Sequence, residues 1–517
     1  MKTLMRGAAV SALLAAAPAF GAAPPVSGAD ARCAALTGKT FGAARIDTAA
    51  AMAPGTGWST GEKIAFGKPA AVMRPFCKVA GTIEKEIRFE LWLPLDGWNG
   101  KFLGAGVGGD AGVFNLSDLP RGVNRGYAAA TTDTGHRAGD RQWMLGDPQR
   151  LPNFTHRANH LLAVAGKAIV AGFYGKGPAH SYFVGCSGGG RQGLKEMQLF
   201  PADYDGILSG AGGPDTPAMT TRRMWELDQR DRNPGLMKPA DWALVAAAGV
   251  RSCDAADGVV DGVAENPLGC RFRVSSLLCK PGDATGTCLD ARQVAFAERF
   301  YAPLTDEAGY QIDGGLLPGV LVDSGRSQLA PATFGQAVRR RADWDGADFD
   351  LAKDRTAIDR VMPDLRADRT DLSAFTRRGG KAILYSGWMD PAVAARMMIA
   401  YRDRLVAAAS GEAQANAFLR LYMLPGVYHC GRGPGPDMVG GAGADGVSLD
   451  PQHDMLSALE AWVEQGRAPG TMIAAKLERG KVVRTRPICA YPAHATYKGQ
   501  GSTDLAASFT CAVRRGL

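Results

Sequence analysis

Tyr182-Phe183-Val184-Gly185-Cys186-Ser187-Gly188-Gly189-Gly190 is an apolar, β-prone run that breaks into glycines, and the segment behind it, Arg191 to Phe200, is compatible with a helix. Within it Gly185-x-Ser187-x-Gly189 reads as a nucleophile elbow. The flanking glycines permit a sharp strand-to-helix turn that exposes the serine hydroxyl, and they leave room for the helix to approach. In a chain with 67 glycines the pattern also arises by chance, as a Gly-rich loop with a solvated serine. The strand before it and the helix after it turn the reading toward nucleophilic chemistry.

A serine hydroxyl is a weak nucleophile, so it needs a general base and a group that fixes the tautomer of the base. Of seven histidines, His429 ends the apolar segment Leu421 to Tyr428 and is followed by the glycine-rich Gly431 to Gly435, which predicts a strand-end loop. Asp390 ends the apolar Ala382 to Met389 and precedes Pro391. Serine, aspartate, histidine is the chain order of α/β-hydrolases, with each residue at the carboxyl end of a successive strand. Cys186-Ser187 and His429-Cys430 each place a cysteine beside a reactive residue. A disulfide between them would hold serine and imidazole together.

The other histidines fit less well. His453 opens a helix-like stretch ending near Glu464, where it reads as solvated or capping, and His136 follows the apolar Tyr127 to Ala130 and is placed to orient a loop near the site. His156 and His160 have the i, i+4 spacing of a metal pair, but no third ligand or Glu accompanies them. A helix from Thr155 to Gly172 would carry both on one face.

These residues resemble the tannase and feruloyl esterase family, which also contains the mono(2-hydroxyethyl) terephthalate hydrolases. Its Cys-Ser, Asp, His-Cys constellation stands here as Cys186-Ser187, Asp390 and His429-Cys430. The likeness extends to Gly100-Lys101-Phe102-Leu103-Gly104 with Gly108-Gly109, and to Arg486-Pro487-Ile488-Cys489-Ala490-Tyr491-Pro492. It implies a triad of Ser187, His429 and Asp390, with the backbone N–H of Gly188 and of Gly108 or Gly109 as oxyanion donors. Gly188 departs from part of the family, which carries a larger residue there. The run Gly106 to Gly109 lacks the third glycine and acidic residue of a dinucleotide fingerprint, so an oxyanion loop is its better use.

Lys2 and Arg6, the apolar Ala8 to Ala17 and the small residues Ala19 to Ala23 read as a signal peptide over 1–23, too short in its apolar core to span a bilayer. Export would make the even count of ten cysteines a disulfide framework and place the protein in the periplasm or outside the cell. Sequence alone leaves the connectivity open. The resemblance implies Cys33 with Cys77, Cys186 with Cys430, Cys253 with Cys270, Cys279 with Cys288, and Cys489 with Cys511.

Cys253-Asp254-Ala255-Ala256-Asp257-Gly258-Val259-Val260-Asp261-Gly262-Val263 is a second constellation. By composition it is a pair of Asp-Gly turns, and its spacing is not that of an EF-hand although Glu265 stands at the twelfth position. The resemblance reverses that reading. It implies a structural Ca2+ bound by the carboxylates of Asp254, Asp257 and Asp261 and the carbonyls of Val259 and Val263.

About 494 residues remain after the leader, enough for more than one core. The expected organisation is an α/β-hydrolase catalytic domain from 24–213 and 376–517, with a lid domain of 214–375, carrying the calcium loop, inserted between the nucleophile and acid strands. The formal charge of +8 becomes +6 without Lys2 and Arg6, and the basic residues are scattered. No nucleic-acid footprint emerges, and no later apolar run suits a membrane span.

Together these features imply an exported serine esterase acting through an acyl-enzyme on aromatic, feruloyl-type esters, small or attached to plant polysaccharide or polyphenol. Gallate esters are the alternative. Val393, three residues after Asp390, is smaller than the aromatic of the terephthalate-monoester enzymes, which ranks aromatic dicarboxylate monoesters lower. A silent polyphenol- or carbohydrate-binding protein is the reading the intact triad argues against.

Overall fold

The computed structural model describes residues 28–58, 70–322 and 329–513; the leader read over 1–23 lies outside them. The chain enters as β1 (Thr40–Phe41), β2 (Ala44–Met52), β3 (Phe76–Ile83), β4 (Ile87–Pro94), β5 (Lys101–Ala105), β6 (Ala128–Thr132), β7 (His180–Cys186) and β8 (Gly206–Gly210). It then makes a helical excursion that holds the small hairpin β9 (Leu304–Thr305) and β10 (Gln311–Asp313), and returns as β11 (Lys381–Gly387) and β12 (Leu419–Leu424). Ten of these strands form one sheet in the order β1-β2-β3-β4-β6-β5-β7-β8-β11-β12. Pairing is antiparallel from β1 through β4 to β6. From β6 to β12 it is parallel throughout. This is the α/β-hydrolase fold expected from the order of serine, aspartate and histidine.

The parallel strands are continuous apolar runs because both of their faces are covered. Alternate residues serve opposite cores. Phe102, Phe183, Ile207 and Leu384 pack with Leu162 and Ile169 of the helix Ala158–Tyr174 and with Leu194 and Met197 of the helix Gly188–Leu199. Leu103, Tyr182, Val184, Leu208, Ile383 and Tyr422 face Leu119 and Val123 of the helix Asp118–Asn124, and Leu456, Leu459 and Trp462 of the helix Met455–Gln465.

Between β8 and β11 lie the helices Thr216–Arg232, Pro239–Asp257, Ala291–Tyr301, Leu329–Ala337, Leu351–Val361 and Ser373–Arg377. Trp225, Trp242 and Phe296 pack around Phe300 with ring centroids 5.0–5.1 Å away. After β12 the tail forms two hairpins, β13 (Met472–Glu478) with β14 (Lys481–Ile488) and β15 (His494–Tyr497) with β16 (Phe509–Ala512). The five disulfides pair the ten cysteines as the resemblance implied. Among the described residues no helix is long and apolar enough to cross a membrane.

Two local readings shift. The helix expected from Thr155 begins as a π-helical turn over Asn153–Arg157 and becomes α-helical at Ala158. The helix behind the serine starts at Gly188, inside the glycine run expected to break structure, because these glycines serve close packing: a Cβ at Gly190 would lie 2.2 Å from the Gly210 carbonyl oxygen.

Candidate active site

Ser187 sits between β7 and the helix Gly188–Leu199 with φ 60° and ψ −125°. That left-handed backbone is costly for a non-glycine residue, and here it turns the serine out of the strand. The turn is held from both sides, since Ser187 N donates to the Gly210 carbonyl on β8 and the Ser187 carbonyl accepts from Arg191 N, each at 2.9 Å. Gly185 is required by close approach: a Cβ there would stand 2.5 Å from the Gly189 carbonyl carbon and oxygen.

Asp390 lies three residues beyond β11 and is fully buried. Its Oδ1 accepts from the backbone N–H groups of Ala392 (2.7 Å) and Val393 (2.9 Å), which leaves Oδ2 for His429 Nδ1 at 2.8 Å. A carboxylate fixed in this way holds the imidazole with Nε2 directed away from it, the orientation a general base needs. His429 lies in the loop after β12, and Met389 N donates to the Val427 carbonyl at 3.1 Å. The Cys186–Cys430 bridge, with Cα atoms 5.9 Å apart, ties this loop to the strand that ends in Ser187. Ser187, Gly188, Gly108, Gly109 and His429 line one cavity of about 560 Å³.

The loop after β5 lies against the start of the serine helix. A Cβ on Gly188 would come within 2.7 Å of the Gly109 carbonyl oxygen and 3.1 Å of Gly109 N. Gln192, one turn along, clamps the same loop: its Oε1 accepts from Val107 N at 2.9 Å and its Nε2 donates to the Val107 carbonyl at 3.2 Å. Asn115 Nδ2 donates to the Gly106 carbonyl at 2.8 Å. Neither residue was singled out in the sequence, and no spacing marks them.

The remaining wall comes largely from the excursion. One stripe of the helix Thr216–Arg232 faces the cavity, beginning at Thr216 and Met219 and ending at Arg223, Glu226 and Arg230. Arg223 Nη1 donates to Glu226 Oε2 at 2.8 Å, and Arg222 Nε donates to Glu226 Oε1 at 3.0 Å. Phe154, Leu365 and Val393 add apolar surface, while Asp110, Arg191 and Thr333 form a polar corner.

Of the other histidines, His136 is buried, stacks on Trp143 at 3.9 Å between centroids, and has a ring N–H bonded to the Asp110 carbonyl beside Gly109. Desolvation pushes its pKa down to about 4, so it is neutral. His156 and His160 both stack on Phe200, and His160 Nδ1 meets Asp203 Oδ2 at 2.6 Å. The helix Met455–Gln465 is capped by Asp454, while His453 pairs with Asp450 at 2.9 Å.

In the acidic loop, Asp254 accepts from Asp261 N (3.0 Å) and Gly262 N (2.9 Å), Asp257 from Val259 N (3.3 Å) and Glu265 N (2.9 Å), and Asp261 from Val263 N (3.1 Å). Buried Arg486 pairs with both Asp261 and Glu265. Burial pushes the Asp257 carboxyl up to about 6, with the charges of Asp254 and Asp261 adding to the shift. Among the described residues no group of three or more His, Cys, Asp or Glu side chains is gathered as a metal centre. The donor set is nonetheless of the hard oxygen type that calcium takes, and each carboxylate oxygen that accepts one N–H keeps a further lone pair.

The family model described as "Tannase and feruloyl esterase" matches residues 70–319 and 332–512. An uncharacterised esterase of Xanthomonas campestris pv. campestris is 34% identical over 548 residues, covering 96% of this chain and 94% of the relative. Feruloyl esterase B of Aspergillus niger is 29% identical over 460 residues, covering 84% and 86%. The crystal structure of feruloyl esterase B from Aspergillus oryzae superposes with a TM-score of 0.88 at 27% identity, over 94% of this chain and 100% of that one.

Proposed function

Since the chain belongs to the tannase and feruloyl esterase family and is a carboxylic ester hydrolase, we propose that it cleaves aromatic, feruloyl-type esters by two-step acyl transfer at Ser187. In this reading Ser187 Oγ attacks the ester carbonyl as His429 Nε2 takes its proton, and Asp390 holds the tautomer and stabilises the imidazolium. The N–H groups of Gly188 and of Gly108 or Gly109 receive the oxyanion, one such donor being worth about 3 kcal/mol. His429 then protonates the leaving alkoxide, and water activated by the same imidazole releases the acid. The observation that carries the reading is the buried Asp390 bonded to His429 on the wall of the cavity that also exposes the strained Ser187.

Residues 24–213 and 376–517 form the catalytic unit of this proposal and 214–375 its lid, which supplies the stripe on Thr216–Arg232. Export to the periplasm or beyond is supported by five disulfides. A structural calcium ion at Asp254, Asp257, Asp261 and the carbonyls of Val259 and Val263 is supported by the oxygen donor set and by carboxylate repulsion that a dication relieves. It takes no part in the chemistry.

A second reading, an ester that carries a carboxylate, is favoured by Arg223 and Arg230 on the cavity wall. Fluorophosphonate labelling of Ser187, and turnover of methyl ferulate, methyl gallate and a terephthalate monoester, test the proposal. Ser187→Ala, His429→Ala and Asp390→Asn should each lose most of the turnover, because the three act as a unit. Full activity in folded Ser187→Ala ends the serine-esterase reading.

A further inference from the structure

Arg191 projects from the first turn of the serine helix and is only 3% exposed. Its Nη1 donates to the Thr155 carbonyl at 3.0 Å, and its guanidinium lies 5.0 Å from the centroid of the Phe154 ring. Nη2 is buried and has no hydrogen-bond acceptor. Buried donors without partners are rare in folded proteins, and this one belongs to a residue on the wall of the cavity that holds Ser187. Asp110, next to Gly109, lines the same corner and bonds the hydroxyl of Thr333 from the helix Leu329–Ala337. Among the described residues Arg191 closes no ion pair, although the charge of Asp110 reaches it.

We propose that Asp110, Arg191 and Thr333 form a subsite for a hydroxyl group of the substrate, which makes the enzyme selective for hydroxylated esters. The inference rests on the esterase reading above. Its chemistry follows from the charges. Arg191 Nη2 can only donate, and Asp110 only accepts once it is ionised, above about pH 7. A group set between them has to accept from one and donate to the other, which a hydroxyl does. A ligand carboxylate would face Asp110 and an ammonium would face Arg191, so a neutral group fits this corner better than either ion. Desolvation raises the Asp110 carboxyl to about 7 and lowers the Arg191 guanidinium to about 10, as expected for opposite charges held in a dry corner without a direct contact. The His136 ring bonded to the Asp110 carbonyl fixes this segment from behind.

A hydroxyl of this kind comes either from the phenol of the acid or from a sugar alcohol. The test measures kcat/KM for methyl cinnamate, methyl p-coumarate, methyl ferulate and a feruloyl arabinose ester in the wild type, Asp110→Leu and Thr333→Val. The expected result is that one ratio, p-coumarate over cinnamate or feruloyl arabinose over methyl ferulate, falls about tenfold or more in Asp110→Leu and falls in the same direction in Thr333→Val. The ratio that falls identifies the source. If both variants slow all four esters equally, or leave both ratios as in the wild type, the subsite is refuted while the esterase reading stands. If the wild type hydrolyses none of the four and Ser187 resists a fluorophosphonate, the esterase reading fails and the subsite with it.

Discussion

Replacing Cys186 and Cys430 together by alanine tests whether the bridge positions His429, the proposed base. β7 and β12 are separated by β8 and β11, three strand spacings or about 14 Å. The loop after β12 nevertheless returns until Cys430 is 5.9 Å from Cys186 between Cα atoms. Its other ties run elsewhere. Trp388 N and Met389 N donate to the Leu424 and Val427 carbonyls on the acid side, and Lys476 Nζ donates to the Gly433 carbonyl from β13. Asp390 stays fixed through the β7-β8-β11 ladder, so without the bridge it is the loop carrying His429 that loses its tie to the Ser187 strand and should shift relative to Ser187. A misplacement of about 1 Å at reacting groups costs about a hundredfold, so kcat for methyl ferulate should fall by that order while KM changes little. The bridge spans 244 residues of sequence, for which the chain-entropy relation gives about 5 kcal/mol as an upper bound. With about 2 cal/mol/K of unfolding entropy per residue over about 490 residues, that is a loss of about 5 °C in Tm. Circular dichroism at 25 °C should not change. A double variant that melts lower yet keeps wild-type kcat would falsify the positioning argument, and free thiols at both positions in the native protein would remove its basis.

Gly188→Ala should lower kcat about tenfold or more, because the new Cβ would stand 2.7 Å from the Gly109 carbonyl oxygen and push the loop proposed to supply the second oxyanion donor; unaltered kcat in this variant would show that the loop yields without cost. His136 titrates near 4 in the folded protein and near 6.5 unfolded, so the unfolded chain binds more protons between those values. Stability should thus fall as pH drops from about 6.5 to about 4, by up to about 3 kcal/mol from this group. His136→Phe should flatten that slope in urea melts, and equal slopes in both proteins would contradict it. If the proposed calcium ion is bound, chelation should lower Tm and leave the rate well below melting unaltered, since a ligand held only by the native state adds about 2.7 kcal/mol at a hundredfold excess over its Kd. Purified protein without calcium, and a melting curve that added calcium does not move, would reduce Asp254, Asp257 and Asp261 to turn residues.

The elbow around Ser187 was legible in the sequence because its cause is local: a β-prone run, a serine in a strained turn, and glycines where backbone meets backbone. Asp390 and His429 were legible because each follows an apolar strand, and strand ends in a parallel sheet share one edge. Cys186 with Cys430 was suggested by their places beside Ser187 and His429, but the other four pairs were not legible from the residues themselves, since thiols carry no address, and came only from the resemblance. Beyond Gly108, Gly109, His136 and Val393, the sequence said nothing of what surrounds Ser187, Asp390 and His429. Gln192 holds Val107 across 85 positions, and Thr333 reaches Asp110 from the excursion, 223 positions away. No periodicity links such residues, because each pair meets only after separate elements have packed. Sequence therefore determined the fold class and the candidate reacting groups through local backbone demands and chain order. Tertiary packing alone decided the shape and polarity of the cavity, the clamp on the loop after β5 and the free Nη2 of Arg191, since those properties belong to contacts between segments and to none of the segments themselves.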